Sequence, residues 1–142
     1  FSQIARYEPI NSLLIRLQQN FNTLQLFDFG HQNNMKYVLA DELFFENLPE
    51  IYEKIDALSN SVEVLYLTVC MDVVNASIAH GVSAASYNGI FADATFMHFF
   101  KHVLGNNKLV ALDIAEVNPS LDEQEKTSRL AASLVHEWFL KD

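Results

Sequence analysis

The side chains able to do chemistry in this sequence gather at the ends of two apolar runs. The first run, Tyr66-Leu67-Thr68-Val69-Cys70-Met71-Asp72, carries a thiol and a carboxylate two positions apart. If a strand continues through both, they point to the same side and can hold a metal ion between them. Asp72 is the donor for a hard cation and Cys70 the softer one. The competing reading is a buried strand whose last Asp caps a turn. The second run, Leu109-Val110-Ala111-Leu112-Asp113-Ile114-Ala115, ends in Glu116 and is broken by Asn118-Pro119. Between them lies a loop of small residues, Ala79-His80-Gly81-Val82-Ser83-Ala84. Ser83 has no His or Asp at a spacing that makes it a nucleophile, so its expected job is loop hydrogen bonding. Asp113 is expected to orient the strand end or a neighbouring helix. His98 and His102 stand four apart, but Phe99-Phe100-Lys101 lacks the Glu of a His-Glu-x-x-His site, so they read as the polar flank of a helix. Four glycines leave no room for a phosphate-binding loop.

Positioning these groups requires a sheet, and the pattern predicts one. Ile10, Leu13, Leu14, Leu17 and Phe21 recur at helical spacing, which predicts a helix from Pro9 to about Phe21. Residues 24–29 read as a strand closed by Gly30, and residues 35–39 as a shorter strand. Residues 41–59 read as helix in two pieces, with Pro49 opening the second, where its missing N–H costs little. Residues 62–71 and 108–117 read as strands buried on both faces, the signature of a parallel sheet. Residues 91–104 read as a helix stopped by Gly105. Ser120 with Glu123 reads as a capping box for a last helix running to about Leu140. Strand and helix thus alternate as in βαβ units, which predicts an α/β fold with a mostly parallel sheet. Ligands bind beyond the carboxyl ends of such strands, the place where Cys70, Asp72 and Glu116 stand.

The 142 residues carry a formal charge of −9, with nine basic residues scattered singly. That balance excludes an electrostatic footprint for nucleic acid. No apolar run approaches the roughly 18–20 residues of a membrane span, and no signal peptide is evident. One cysteine means no internal disulfide and suits a reducing cytoplasm. No linker or repeat divides the chain, which reads as one domain over residues 1–142 or as half of one. It begins at Phe1, and the expectation is a piece of something longer.

The motifs resemble the ureohydrolases, the arginase/agmatinase/formimidoylglutamase superfamily of binuclear manganese hydrolases. Cys70-Met71-Asp72 stands where that family has Asp-x-Asp, and Gly81-Val82-Ser83-Ala84 matches its following loop, in the form nearest to formimidoylglutamases. Asp113-Ile114-Ala115-Glu116-Val117-Asn118-Pro119 matches Asp-hydrophobic-x-Glu-x-Asn-Pro, and Lys126-Thr127-Ser128-Arg129-Leu130-Ala131 matches a final-helix pattern. The resemblance implies the C-terminal half of a three-layer α/β/α, arginase-like domain. It implies Asp72 and Cys70 at metal-ligand positions for two manganese ions and Glu116 as the carboxylate facing an amidine substrate. The implied reaction is hydrolysis of N-formimidoylglutamate to glutamate and formamide, part of histidine degradation. Implied partners are that small molecule and the missing N-terminal half or further copies of the chain. Three departures accompany it. Cys70 replaces a hard oxygen ligand by sulfur, better matched to zinc or iron. His80 stands at a proline position, with Ala85 replacing another. The family's upstream Asp-Ala-His-x-Asp and Gly-Asp-His elements are absent from these residues. A degenerate module that kept the scaffold and acts by binding or assembly is the alternative.

Overall fold

The structure is a computed structural model and describes residues 10–17, 24–33 and 35–141. The chain divides into two compact units, Phe1–Glu63 and Val64–Asp142. In the first unit, β1 (Leu13–Leu17) and β2 (Lys36–Leu39) pair in parallel, with α1 (Leu24–Gln32) as the crossover. Ile15 lies beside Val38, which is fully buried.

Two expectations are overturned here. The helix expected from Pro9 to about Phe21 is a strand over Leu13–Leu17, and the strand expected over residues 24–29 is helix α1; the ends of the first expectation, residues 1–9 and 18–23, lie outside the described residues. A run as short as Leu13-Leu14-Ile15 satisfies both periods, and the available partner strand decides between them. For residues 24–29 the apparent alternation gives way to contacts four apart. The Phe27 ring meets Tyr37 edge-on at 5.6 Å, and the Tyr37 hydroxyl lies 3.4 Å from His31 Nε2. Only helical spacing brings residues 27 and 31 to the same neighbour.

Residues 40–42 and 45–47 form single 3-10 turns rather than a first helical piece, and α2 (Leu48–Asn60) follows with Pro49 in its first turn. Leu48, Ile51, Ile55 and Ser59 form its buried row, while Tyr52 and Leu58 are half-buried beside it.

In the second unit β3 (Leu65–Cys70) and β4 (Leu109–Ala115) pair in parallel, joined through α3 (Ala94–Leu104). The register sets Thr68 beside Asp113 and Cys70 beside Ala115. These strands are not covered on both faces in this unit: Tyr66 and Val110 are exposed, whereas Val69 and Leu109 are buried. Apolarity along the run therefore overstated its burial.

Helix α3 starts at Ala94, later than expected, because the Asp93 side chain accepts from the Phe96 N–H at 3.1 Å and sets the first turn. Its buried row, Phe96, Phe99, Phe100, Val103 and Leu104, follows helical spacing, and the Phe96 and Phe100 rings stack at 5.9 Å. Gly105 ends the helix at φ −70, without the left-handed turn that glycine often supplies. Helix α4 (Lys126–Phe139) buries Thr127 and Leu134 and lies against β4. It also meets α3 through Lys101 and Glu137 at 3.2 Å, an exposed pair worth at most about 1 kcal/mol.

The expected capping box of Ser120 and Glu123 does not start α4. Residues 119–121 and 123–125 form 3-10 turns, and Gln124 and Glu125 both adopt left-handed φ (59 and 57). That kink lets Asp122 reach the helix start, where its carboxylate accepts from the Thr127 N–H, the Ser128 N–H and the Ser128 hydroxyl at 2.9, 2.9 and 2.6 Å.

Candidate active site at the carboxyl edge of β3 and β4

The parallel register carries the two apolar runs to a shared edge. β3 ends at Cys70 and β4 at Ala115, beside it. Asp72 and Glu116 follow directly. The strand does not continue through Asp72, as the same-side argument for Cys70 and Asp72 required. Residues 71–73 form a 3-10 turn around the fully buried Met71. The side chains still share one electrostatic environment. Burial pushes the Cys70 thiol up, and the Asp72, Glu116 and Asp113 carboxylates push it further. Burial likewise raises the Asp72 carboxyl, Glu116 adds to it, and the residue's own backbone N–H opposes.

Glu116 is exposed and adopts φ 68. A non-glycine residue in that left-handed region costs about 1–2 kcal/mol, so the surroundings must hold it there. They do so two residues later. The Asn118 N–H donates to the Gly81 carbonyl at 2.8 Å, and the Asn118 amide donates to the Ser83 hydroxyl at 3.3 Å. The Asn118 side-chain oxygen accepts from the Ser120 N–H and hydroxyl, fixing the Asn-Pro turn. Ser83 thus has the loop-bonding job the sequence suggested. Asp113 accepts from the Tyr66 hydroxyl at 2.5 Å and the Thr68 hydroxyl at 3.0 Å, tying β4 to β3 just before the edge. That bond is the main reason the Tyr66 hydroxyl is harder to ionise.

The loop behind β3 closes on a residue that sequence reasoning passed over. Asn75 is buried, donates to the Tyr87 carbonyl at 2.6 Å, and accepts from the Ser77 N–H and hydroxyl at 2.9 and 2.6 Å. Gly89 lies so close that a Cβ there would stand 2.3 Å from the Asn75 nitrogen. An Asn followed two positions on by Ser is the signal for such a turn. Asp122 and Thr127 were missed as well. The Thr127 hydroxyl accepts from the Gly81 N–H at 2.8 Å, and His80 Nε2 accepts from the Glu123 N–H at 3.1 Å. Partial burial alone would raise the Asp122 carboxyl, but hydrogen bonds from Ser128 and Thr127 outweigh it and bring it to about 2. No sequence spacing announces Asp122, because the left-handed Gln124-Glu125 kink is what turns it toward α4.

His98 is exposed on α3 and His102 half-buried, away from the strand ends in sequence, as their flank reading expects. An open groove of about 420 Å³ lies between β4 and α4, lined by Ala111, Leu112, Ile114, Val135, Trp138 and Phe139. It holds no titratable group and flanks the strand rather than capping it, so it is no candidate for the chemistry.

The donor set does not fit a two-manganese centre built from this chain alone. Cys70 offers sulfur, a poor match for a hard ion. Among the described residues no group of three His, Cys, Asp or Glu side chains comes together. Nor, among them, is any helix long and apolar enough to cross a membrane.

Comparison with known proteins covers most of the chain. The arginase family model matches residues 4–140. A formimidoylglutamase of Staphylococcus haemolyticus is 36% identical over 133 residues, which are 94% of this chain and 42% of that protein. One of Staphylococcus carnosus is 36% identical over 126 residues, 89% of this chain and 40% of that protein. The chain therefore spans about two fifths of the length of these relatives. Among solved structures, formimidoylglutamase from Bacillus subtilis superposes with a TM-score of 0.80 at 23% identity, covering 87% of this chain and 38% of that one. Arginase from Bacillus caldovelox gives 0.76 at 21% identity, covering 92% and 43%. The fold is the arginase-like α/β fold.

Proposed function

The chain belongs to the arginase family, and from that premise we propose that it is the C-terminal part of a formimidoylglutamase-like hydrolase. The substrate is N-formimidoylglutamate, the products are glutamate and formamide, and the setting is histidine degradation in the cytoplasm. Glu116 faces the cationic amidine end of the substrate, where a charge-assisted hydrogen bond orients it. Asp72, with Cys70 beside it, contributes to a metal site whose other ligands lie outside these 142 residues. In the family that site holds two manganese ions; with sulfur at Cys70 the donor set is shifted toward softer metals. The N-terminal half of the domain, or further copies of the chain, completes the structure over residues 1–142.

One observation carries this reading. The two motifs that resemble ureohydrolases, the first in its formimidoylglutamase form, are bonded to each other, Asn118 to Gly81 and Ser83, at the edge where Glu116 is held in a strained conformation. A scaffold in decay has no reason to keep that strain. Cys70 favours the second reading, a module that kept the fold, lost the metal centre and acts by binding.

The test is metal per chain and hydrolysis of N-formimidoylglutamate by the full-length protein, alongside Cys70→Asp. The hydrolase reading expects turnover and a gain in manganese affinity on the order of tenfold or more in the variant. A protein without turnover, whose manganese affinity is unchanged by the substitution, leaves only the binding module.

A further inference from the structure

Beyond the strand ends, the structure contains a continuous hydrogen-bonded route from the start of α4 to the candidate site. Thr127 is fully buried, and its hydroxyl faces the Gly81 backbone. It accepts from the Gly81 N–H at 2.8 Å, and the Thr127 N–H donates to the Asp122 carboxylate at 2.9 Å. Gly81 is itself buried, and its carbonyl accepts from the Asn118 N–H. Asn118 then reaches Ser83 and lies two residues from Glu116 at φ 68. A Cβ at Gly81 would stand 2.4 Å from the Asp122 Cβ, so the loop and the kink are in direct apposition.

We propose that Thr127 is a positioning residue, which through Gly81 and Asn118 holds residues 81–83 and Glu116 in the conformation that receives the substrate. The inference rests on the reading of Glu116 as the substrate carboxylate. The physical reason is the cost of a buried, unpaired N–H. Without the Thr127 hydroxyl, the Gly81 N–H has no partner among the described residues, and the loop gains by turning that N–H outward. The carbonyl of the same peptide, that of His80, turns with it and gives up the Val82 N–H, which loosens the Gly81 carbonyl from Asn118, so Glu116 loses the restraint that keeps it in the left-handed region. Asp122 contributes by fixing the first turn of α4: its carboxylate holds the Thr127 and Ser128 N–H groups and so sets where the Thr127 hydroxyl stands.

The experiment compares Thr127→Val, which keeps shape and removes the hydroxyl, with Thr127→Ser, which keeps the hydroxyl. Leu134→Val, a core change in the same helix, controls for loss of stability. The full-length protein is followed by amide hydrogen exchange at Gly81 and Asn118 and by KM and kcat for N-formimidoylglutamate. Expected in Thr127→Val are exchange at both amides faster by about tenfold and KM higher by about fivefold, with kcat moving less. Thr127→Ser restores both, and Leu134→Val changes neither. Thr127→Ala gives the same comparison for a valine chain that does not fold. Unchanged exchange in the hydroxyl-free variants overturns the proposal, as does faster exchange with an unaltered KM. A wild-type protein without amidine hydrolysis strikes the functional reading alone, and the exchange comparison then decides the role of Thr127 by itself.

Discussion

Gly81→Ala tests the apposition of loop and kink most directly. A Cβ at this position would meet the Asp122 Cβ at 2.4 Å, Cγ at 2.6 Å and Oδ1 at 2.7 Å. Asp122 has no cheap way to yield, because its carboxylate is engaged by Thr127 and Ser128 at the start of α4. Overpacking of this kind costs about 1–3 kcal/mol. Displacing a helix-capping carboxylate adds about 1 kcal/mol. The expected loss is therefore about 2–4 kcal/mol. With a urea m-value of about 2 kcal/mol/M, the unfolding midpoint falls by roughly 1–2 M. Gly105→Ala is the internal control. Its φ of −70 suits any residue, and its Cβ would meet the Lys101 carbonyl oxygen only at 3.5 Å, so its midpoint stays close to that of the parent. An Asp122→Gly background supplies the coupling measurement. Both chains then lack the Asp122 Cβ that collides first, so alanine at 81 costs less there than in the parent. A Gly81→Ala chain within about 1 kcal/mol of the parent, or an equal cost in both backgrounds, would refute the reasoning.

Two further outcomes follow from the same edge. Because Glu116 sits at φ 68, Glu116→Gly should be more stable than Glu116→Ala by about 1 kcal/mol in urea unfolding, and equal stabilities would mean that the backbone there is not strained. Asp122 is held at about 2 against an ordinary 3.8, so its contribution to stability is fully present above 3.8 and is lost as the pH falls toward 2. Asp122→Asn removes that dependence, and thermal midpoints between pH 5 and 2 should fall less steeply in the variant; parallel curves would count against the carboxylate's role.

The sequence was most legible where one physical signal dominated. The α/β class with parallel pairing follows from strand and helix alternation, and the two strands expected over 62–71 and 108–117 are found, shorter, over Leu65–Cys70 and Leu109–Ala115. It misled where a short run satisfied two periods, as at Leu13-Leu14-Ile15, and the partner strand settled the matter. Local cap rules also misled. Ser120 and Glu123 have capping-box spacing, yet the left-handed Gln124-Glu125 kink gave the role to Asp122. The register sets Cys70 beside Ala115, next to Glu116, whereas Asp72 reaches the same edge through the turn at residues 71–73, which the strand reading did not foresee. What holds them, the chain of bonds through Thr127, Gly81 and Asn118, joins positions 46 apart in sequence and leaves no local trace.

The burial and crowding that raise Cys70 and Asp72 have a consequence in proton traffic. Groups whose acidities are weakened in this way keep protons that an isolated thiol or carboxyl would release more readily. On the metal-site reading proposed above, a cation settling at this edge would displace any proton they keep, so its arrival would be coupled to proton release and its grip would tighten as the solution becomes more alkaline.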